Sequence, residues 1–143
     1  MPAYQKILVV LDLSAESEQV AAAGRDIAAY SQAQIVLLHV VEFIPIEPLG
    51  ESLMPNVQIE EELIKQSNDK MLDVATRLRL GAATLLVKAG NIKAEILSVA
   101  KDYSADLIVV GSRERHGLAI LVNFTEDTVL HAAHCDVLAV RLK

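Results

Sequence analysis

Few side chains in this sequence have the type and spacing that chemistry requires, and most of them follow short apolar runs. Asp12 closes the run Lys6-Ile7-Leu8-Val9-Val10-Leu11, and Gly111 closes Asp106-Leu107-Ile108-Val109-Val110. Behind Gly111 come Ser112, Arg113, Glu114, Arg115, His116 and Gly117. His131 and His134 stand at i and i+3, a spacing at which two imidazoles of one helix can face a metal. A structural or catalytic metal also wants a third ligand and outer-shell support, and only His116 offers itself, so solvated or capping histidines are the simpler reading and no metal site is expected. Cys135 is the single cysteine, which excludes an intrachain disulfide and a cysteine-rich metal site; beside a strand start it reads as an inert buried thiol. No Ser-His-Asp order, carboxylate dyad or cysteine–histidine pair emerges, so no catalytic residue is assigned.

Several phosphate and nucleophile motifs are absent. There is no G-x-x-x-x-G-K-[ST], no G-x-G-x-x-G after the first strand and no G-x-S-x-G. A receiver domain would need an aspartate ending its third strand, where Val87-Lys88 stands. A flavodoxin-type phosphate loop would want Gly and Thr where Leu13-Ser14-Ala15-Glu16 stands.

The elements that must position these residues follow from the apolar pattern. The chain has 143 residues, enough for one domain with a proper core, and a single domain over residues 1–143 is expected. Apolar residues are 52 % and aromatics only 3 %, so Val, Ile, Leu and Ala must fill the interior, as in a parallel sheet buried on both faces. Strands are expected at Lys6–Asp12, Gln34–Val41, Thr84–Lys88, Asp106–Gly111 and Asp136–Arg141. Ser14 is the expected N-cap of a first helix with Val20, Ala23, Ile27 and Ala28 inward. A second helix from about Val57 to Leu80 carries Ile59, Leu63, Ile64, Met71, Val74, Ala75 and Leu78, with Gly81 as its stop. A third, after Gly90-Asn91, carries Ile92, Ile96, Leu97, Ala100 and Tyr103, and a short fourth is expected from about Glu126 to Ala133. Between the second strand and second helix, Phe43 to Pro55 holds Pro45, Pro48, Pro55 and Gly50 and reads as a long loop.

Strands alternating with helices imply right-handed βαβ crossovers, hence an α/β, Rossmann-like, open five-stranded parallel sheet of order 3-2-1-4-5 with helices on both faces. Ligands of such sheets bind at the C-terminal strand ends where the winding reverses. Asp12, Val40-Val41 and the loop after Gly111 should meet there.

A formal charge of −6 and the lack of any Lys/Arg cluster exclude nucleic acid as an expected partner. No apolar run approaches the ~20 residues needed to span a bilayer, and no signal-peptide core is present; no membrane association and a cytoplasmic location are expected.

Four segments in order resemble the universal stress protein family across almost the whole chain. They are Ile7-Leu8-Val9-Val10-Leu11-Asp12-Leu13-Ser14, Val36-Leu37-Leu38-His39-Val40-Val41, Ala105-Asp106-Leu107-Ile108-Val109-Val110-Gly111-Ser112 and His134-Cys135-Asp136-Val137-Leu138-Ala139-Val140-Arg141. In ATP-binding members of that family the loop after the fourth strand follows G-x2-G-x9-G-[ST], in which glycines let backbone N–H groups approach phosphates at a helix N-terminus. Counted from Gly111, the second glycine position is Glu114 and the third Phe124, or Asn123 if the loop is one residue shorter; Thr125 follows. Glu114 would face a triphosphate, and the charge of Arg113 and Arg115 and the flexibility of Gly117 compensate only in part. The resemblance is thus to the universal stress protein A-like branch, which lacks the motif, and tight ATP binding is not expected.

By the same resemblance Asp12 and Val40 match positions on the adenine side of the ATP-binding members. The plainer alternatives are that Asp12 caps the following turn and Val40 is core. Gly90 either borders the crevice or serves a left-handed turn, and Ser112 either donates to a ligand or caps the loop. The last strand, with few charges from Val137 through Leu138 and Ala139 to Val140, should be an open edge that invites antiparallel pairing with a second copy. The resemblance implies the same homodimer and a stress-response role exerted through unidentified protein partners. The rivals are a regulator binding an adenine nucleotide through a remodelled loop, and a slow ATP hydrolase, for which no metal-holding carboxylate or positioned water can be assigned.

Overall fold

The computed structural model describes residues 4–42, 56–113 and 132–142. The elements run β1 (Lys6–Val10), α1 (Ser17–Ser31), β2 (Gln34–Val41), α2 (Asn56–Arg77), β3 (Thr84–Ala89), α3 (Ile92–Asp102), β4 (Leu107–Arg113) and β5 (Asp136–Leu142). All neighbours in the sheet pair parallel, in the order β3-β2-β1-β4-β5. This is the order expected from the sequence. The loop 43–55 and nearly all of the helix expected at 126–133 lie outside the described residues.

Strand β1 occupies the centre, and its alternation divides the core. Ile7 and Val9 join Leu37, Leu107 and Val109 in one cluster, closed by Val20, Ala21 and Ala28 of α1 and Met71, Val74 and Ala75 of α2. Leu8 joins Val36, Leu38, Val40, Ile108 and Val110 on the opposite face, closed by Ile96 and Val99 of α3. Helices therefore cover both faces, as a sheet that is apolar on both sides demands.

Helix α1 meets β1 more closely than the expected stripe implied. Its buried residues are Ser17, Val20, Ala21, Gly24 and Ala28, a stripe turned away from Ala23. A Cβ on Gly24 would lie 2.5 Å from Val9 Cγ2, so only glycine fits at this crossing.

The element ends differ from expectation in instructive ways. Ser14 does not cap α1: the N-cap position is Glu16, without a side-chain cap bond, and the helix starts at Ser17. Helix α2 stops at Arg77 rather than near Leu80, because Arg79 turns left-handed (φ 57°) and the Leu80 amide donates back to Ala75 O at 2.8 Å. Gly81 is therefore not the stop. The same 6→1 closure ends α1 at Gln32 (φ 56°) with Ala33 N to Ala28 O, and α3 at Ser104 (φ 54°) with Ala105 N to Ala100 O. A non-glycine in this conformation costs roughly 1 kcal/mol, which the extra hydrogen bond and the buried residue after it offset. Asn91 does cap α3, its Oδ1 accepting from Ala94 N at 2.9 Å.

The N-terminal ends of the strands are cross-tied by side chains. Asp106 accepts from Gln5 N and Lys6 N at 2.8 and 3.0 Å, while its own amide donates to Lys6 O. Tyr4 reaches further and donates its hydroxyl to Asp136 Oδ2 at 2.7 Å.

The contact at Gly24 generates a direct test. Gly24→Val should destabilise the fold by about 2 kcal/mol or more through overpacking against Val9. A urea unfolding curve checks this; an unchanged midpoint would remove the close α1–β1 approach.

Candidate functional site

The C-terminal ends of all five strands lie at one end of the sheet, because all of them run the same way. The winding reverses between β1 and β4: α1 and α2 carry the chain outward over one face and α3 returns it over the other. The crevice of a doubly wound sheet belongs at that reversal. Asp12 and Ser112 each follow the Val9–Val109 pair by the same number of residues, so they stand at one level on either side of it.

Asp12 sits just beyond β1 in a turn of unusual backbone, with Leu13 at φ 60°. Its Oδ1 accepts from Ser14 N at 2.9 Å and from Ser17 Oγ at 3.0 Å. Ser17 is only 1 % exposed, so its hydroxyl needs a partner on burial, and the carboxylate provides one. The chain folds this way locally because the acceptor at Asp12 replaces the cap that Ser14 was expected to provide. Ser14 instead gives its carbonyl to Ser17 N at 3.1 Å.

His39 stands outside the residues that type and spacing single out. Its Nδ1 lies 2.7 Å from Leu11 O, and since a carbonyl only accepts, Nδ1 carries the proton. Together with Leu11 N to Leu38 O at 2.8 Å, this bond fixes the last extended residue before Asp12 against β2. The signal available beforehand was the register: His39 lies opposite Leu11 once Val9 pairs with Leu37.

The remaining site residues divide by location. Val40 is 6 % exposed and packs into the α3-side core. Gly90, at φ +148°, takes a backbone that side chains rarely adopt, and its amide donates to Val41 O at 3.0 Å. Gly111 lies in β4 as expected, and Ser112 and Arg113 continue the strand rather than open a loop, because the ladder with β5 runs on through Gly111–Val140, Ser112–Arg141 and Arg113–Leu142. A Cβ on Gly111 would come within 2.9 Å of Leu142 Cδ1 and 3.1 Å of Val20 Cγ2, so the glycine admits the junction of β5 with α1. Glu114, Arg115, His116, Gly117, Asn123, Phe124, Thr125 and His131 lie outside the described residues.

Two titratable groups at the opposite end of the sheet are displaced from their ordinary behaviour. The hydrogen bond to Asp136, then burial and the negative charge of Asp136 and Asp106, hold the Tyr4 phenol above its usual value of 10.0. Burial first, and then the same two carboxylates, push up the half-buried Cys135 thiol, which favours the unreactive protonated form. Among the described residues no three of His, Cys, Asp and Glu gather as metal ligands would, and no helix is long and apolar enough to cross a membrane.

Strand β5 forms one edge of the sheet. Val140 and Leu142 pack toward α1 and Val137 packs toward α3, while Ala139 is exposed and Leu138 is 37 % exposed.

Known proteins share both this sequence and this architecture. The sequence pattern of the Universal stress protein family matches residues 3–141. Universal stress protein A homolog 2 of Coxiella burnetii is 37 % identical over 144 residues, covering 100 % of this chain and 99 % of the relative. Among solved structures, universal stress protein UspA from Lactobacillus plantarum superposes with a TM-score of 0.77 at 23 % identity, covering 99 % of this chain and 100 % of that one. A universal stress protein in complex with cAMP superposes with a TM-score of 0.66 at 23 % identity, covering 97 % of this chain and 98 % of that one. With the match running from the first strand to the last, this chain belongs to the universal stress protein family.

Proposed function

We propose that this chain serves the stress response in the cytoplasm as a homodimer paired through β5 that acts by docking protein partners, without turnover and without tight ATP binding. The observation that carries the reading is the open β5 edge, where Leu138 and Ala139 stand exposed on a strand bonded on one side to β4. An extended edge with apolar side chains pairs readily with its like, and a two-fold axis lets each copy cover the other's edge.

The weak-nucleotide part of the reading rests on two supports. Only Gly111 matches the glycine spacing of the ATP-binding members, with Glu114 and Phe124 at the other two positions. Asp12, the carboxylate on the adenine side by family resemblance, is engaged by its own turn. A second reading, an adenine-nucleotide regulator, draws on the family member solved with cAMP and on Gly90 and Ser112 at the same edge of the sheet.

Calorimetric titration decides between the two readings: the purified, nucleotide-free chain should give no saturable heat with Mg-ATP or with cAMP at millimolar ligand. Saturation in the micromolar range with either would replace the first reading by the second. Light scattering should give twice the chain mass for the natural protein and the single-chain mass for Leu138→Lys, which places a charge on the pairing edge; a monomeric natural protein overturns the β5 reading. Asp12→Ala should lower stability by about 1–2 kcal/mol, since the buried Ser17 hydroxyl loses its acceptor. Chemical denaturation measures this, and an unchanged midpoint with altered nucleotide titration would return Asp12 to the ligand.

A further inference from the structure

The edge strand is fastened at its start by a residue that lies far from it in the chain. Tyr4 lies two residues before β1, two strands away from β5, and its hydroxyl reaches across the beginning of β4 to Asp136, the first residue of β5. The position of Tyr4 is itself fixed. The next two amides are held by the Asp106 carboxylate, Gln5 O accepts from Gln34 N at 2.9 Å, and the Tyr4 ring packs against the α1-side core. A phenol on so firm a base is a rigid arm, and its acceptor is a carboxylate, the stronger kind of hydrogen-bond partner.

β5 needs such an arm more than any inner strand. Among the described residues its one strand partner is β4, and its exposed side chains at Asp136, Leu138, Ala139 and Arg141 add little burial. Edge strands fray from their ends. In an antiparallel two-fold pair the Asp136 end of one copy lies opposite the Leu142 end of the other, so a frayed start shortens the shared ladder at both ends.

We propose that Tyr4 is a positioning residue for the β5 interface, its hydroxyl clamping Asp136 so that a second copy of this chain meets a full-length strand in register. The inference rests on the reading of β5 as the pairing edge.

Tyr4→Phe in the full chain tests it, because the ring stays in the core and only the hydroxyl is lost. Sedimentation equilibrium should show the dimer dissociation constant raised by roughly threefold to tenfold, the scale of one hydrogen bond. Hydrogen exchange should quicken at the amides of the first residues of β5 and stay unchanged in β1 and β2. Asp136→Asn, which keeps a neutral carbonyl acceptor for the phenol, should fall between the natural protein and Tyr4→Phe in both measurements. An unaltered dissociation constant with unaltered β5 exchange overturns the clamp while leaving the dimer intact. Exchange that quickens equally in β1 and β2 also overturns it, since the hydroxyl would then support the whole fold. A natural protein that is monomeric in the same sedimentation run overturns the pairing reading itself, and with it the role of Tyr4 toward a second copy.

Discussion

Burial of β1 on both faces is the constraint from which the rest of this molecule follows. Ile7, Leu8 and Val9 are wholly inaccessible, and consecutive residues of a strand point to opposite sides. Neither face of the sheet can be left open, so the crossovers must divide between them. With right-handed connections, two steps outward from β1 put α1 and α2 on one face, and the return to β4 puts α3 on the other. The reversal of winding beside β1 is thus a by-product of covering the central strand. Gly24 belongs to the same economy of space: with a branched Val9 beneath it, α1 seats only where a side chain is missing.

The two ends of the sheet are built differently, and the difference suits the division of labour proposed for them. At the N-terminal strand ends, polar side chains join segments remote in sequence: Asp106 grips the start of β1, and Tyr4 grips the start of β5. At the C-terminal end of β1 the side chain of Asp12 bonds locally, to Ser14 and Ser17 in its own turn. The bond from His39 to Leu11 O instead joins β2 to the residue just after β1, and it holds the strand rather than the turn. The turn after β1 is thus tied within itself while the strand ladders hold the sheet, an arrangement in which a fold can carry varied loops at one end.

The helix ends show how far local signals carry. Asn91 was readable as the start of α3, since a side-chain acceptor there satisfies an amide that nothing else reaches. Ser14 was an equally good cap by type and failed, because the nearby Asp12 offers a charged acceptor to the same turn. At the other ends, Gly81 attracted the expected stop, yet Gln32, Arg79 and Ser104 make the three left-handed closures. What selects them is the residue after each, which must turn back to the core: Leu80 is 8 % exposed, and Ala33 and Ala105 both pack inward.

By itself the sequence determined the fold class, the five strands, their order and the family, because each depends on apolar runs and crossovers that a linear pattern records. It also records that Glu114, and Phe124 or Asn123, stand where the second and third glycines of a G-x2-G-x9-G spacing from Gly111 would fall. Only the tertiary structure decided where the strands end. Leu11 and Asp12 leave β1 because their partners lie on β2 and in the α1 turn, and Ser112 and Arg113 stay in β4 because β5 runs beside them. It alone decided that Gly111 admits Leu142 and Val20, that His39 holds Leu11, and that Tyr4 reaches Asp136. Each of these is a contact between residues brought together by the sheet order, and spacing along the chain carries no trace of a distance across it.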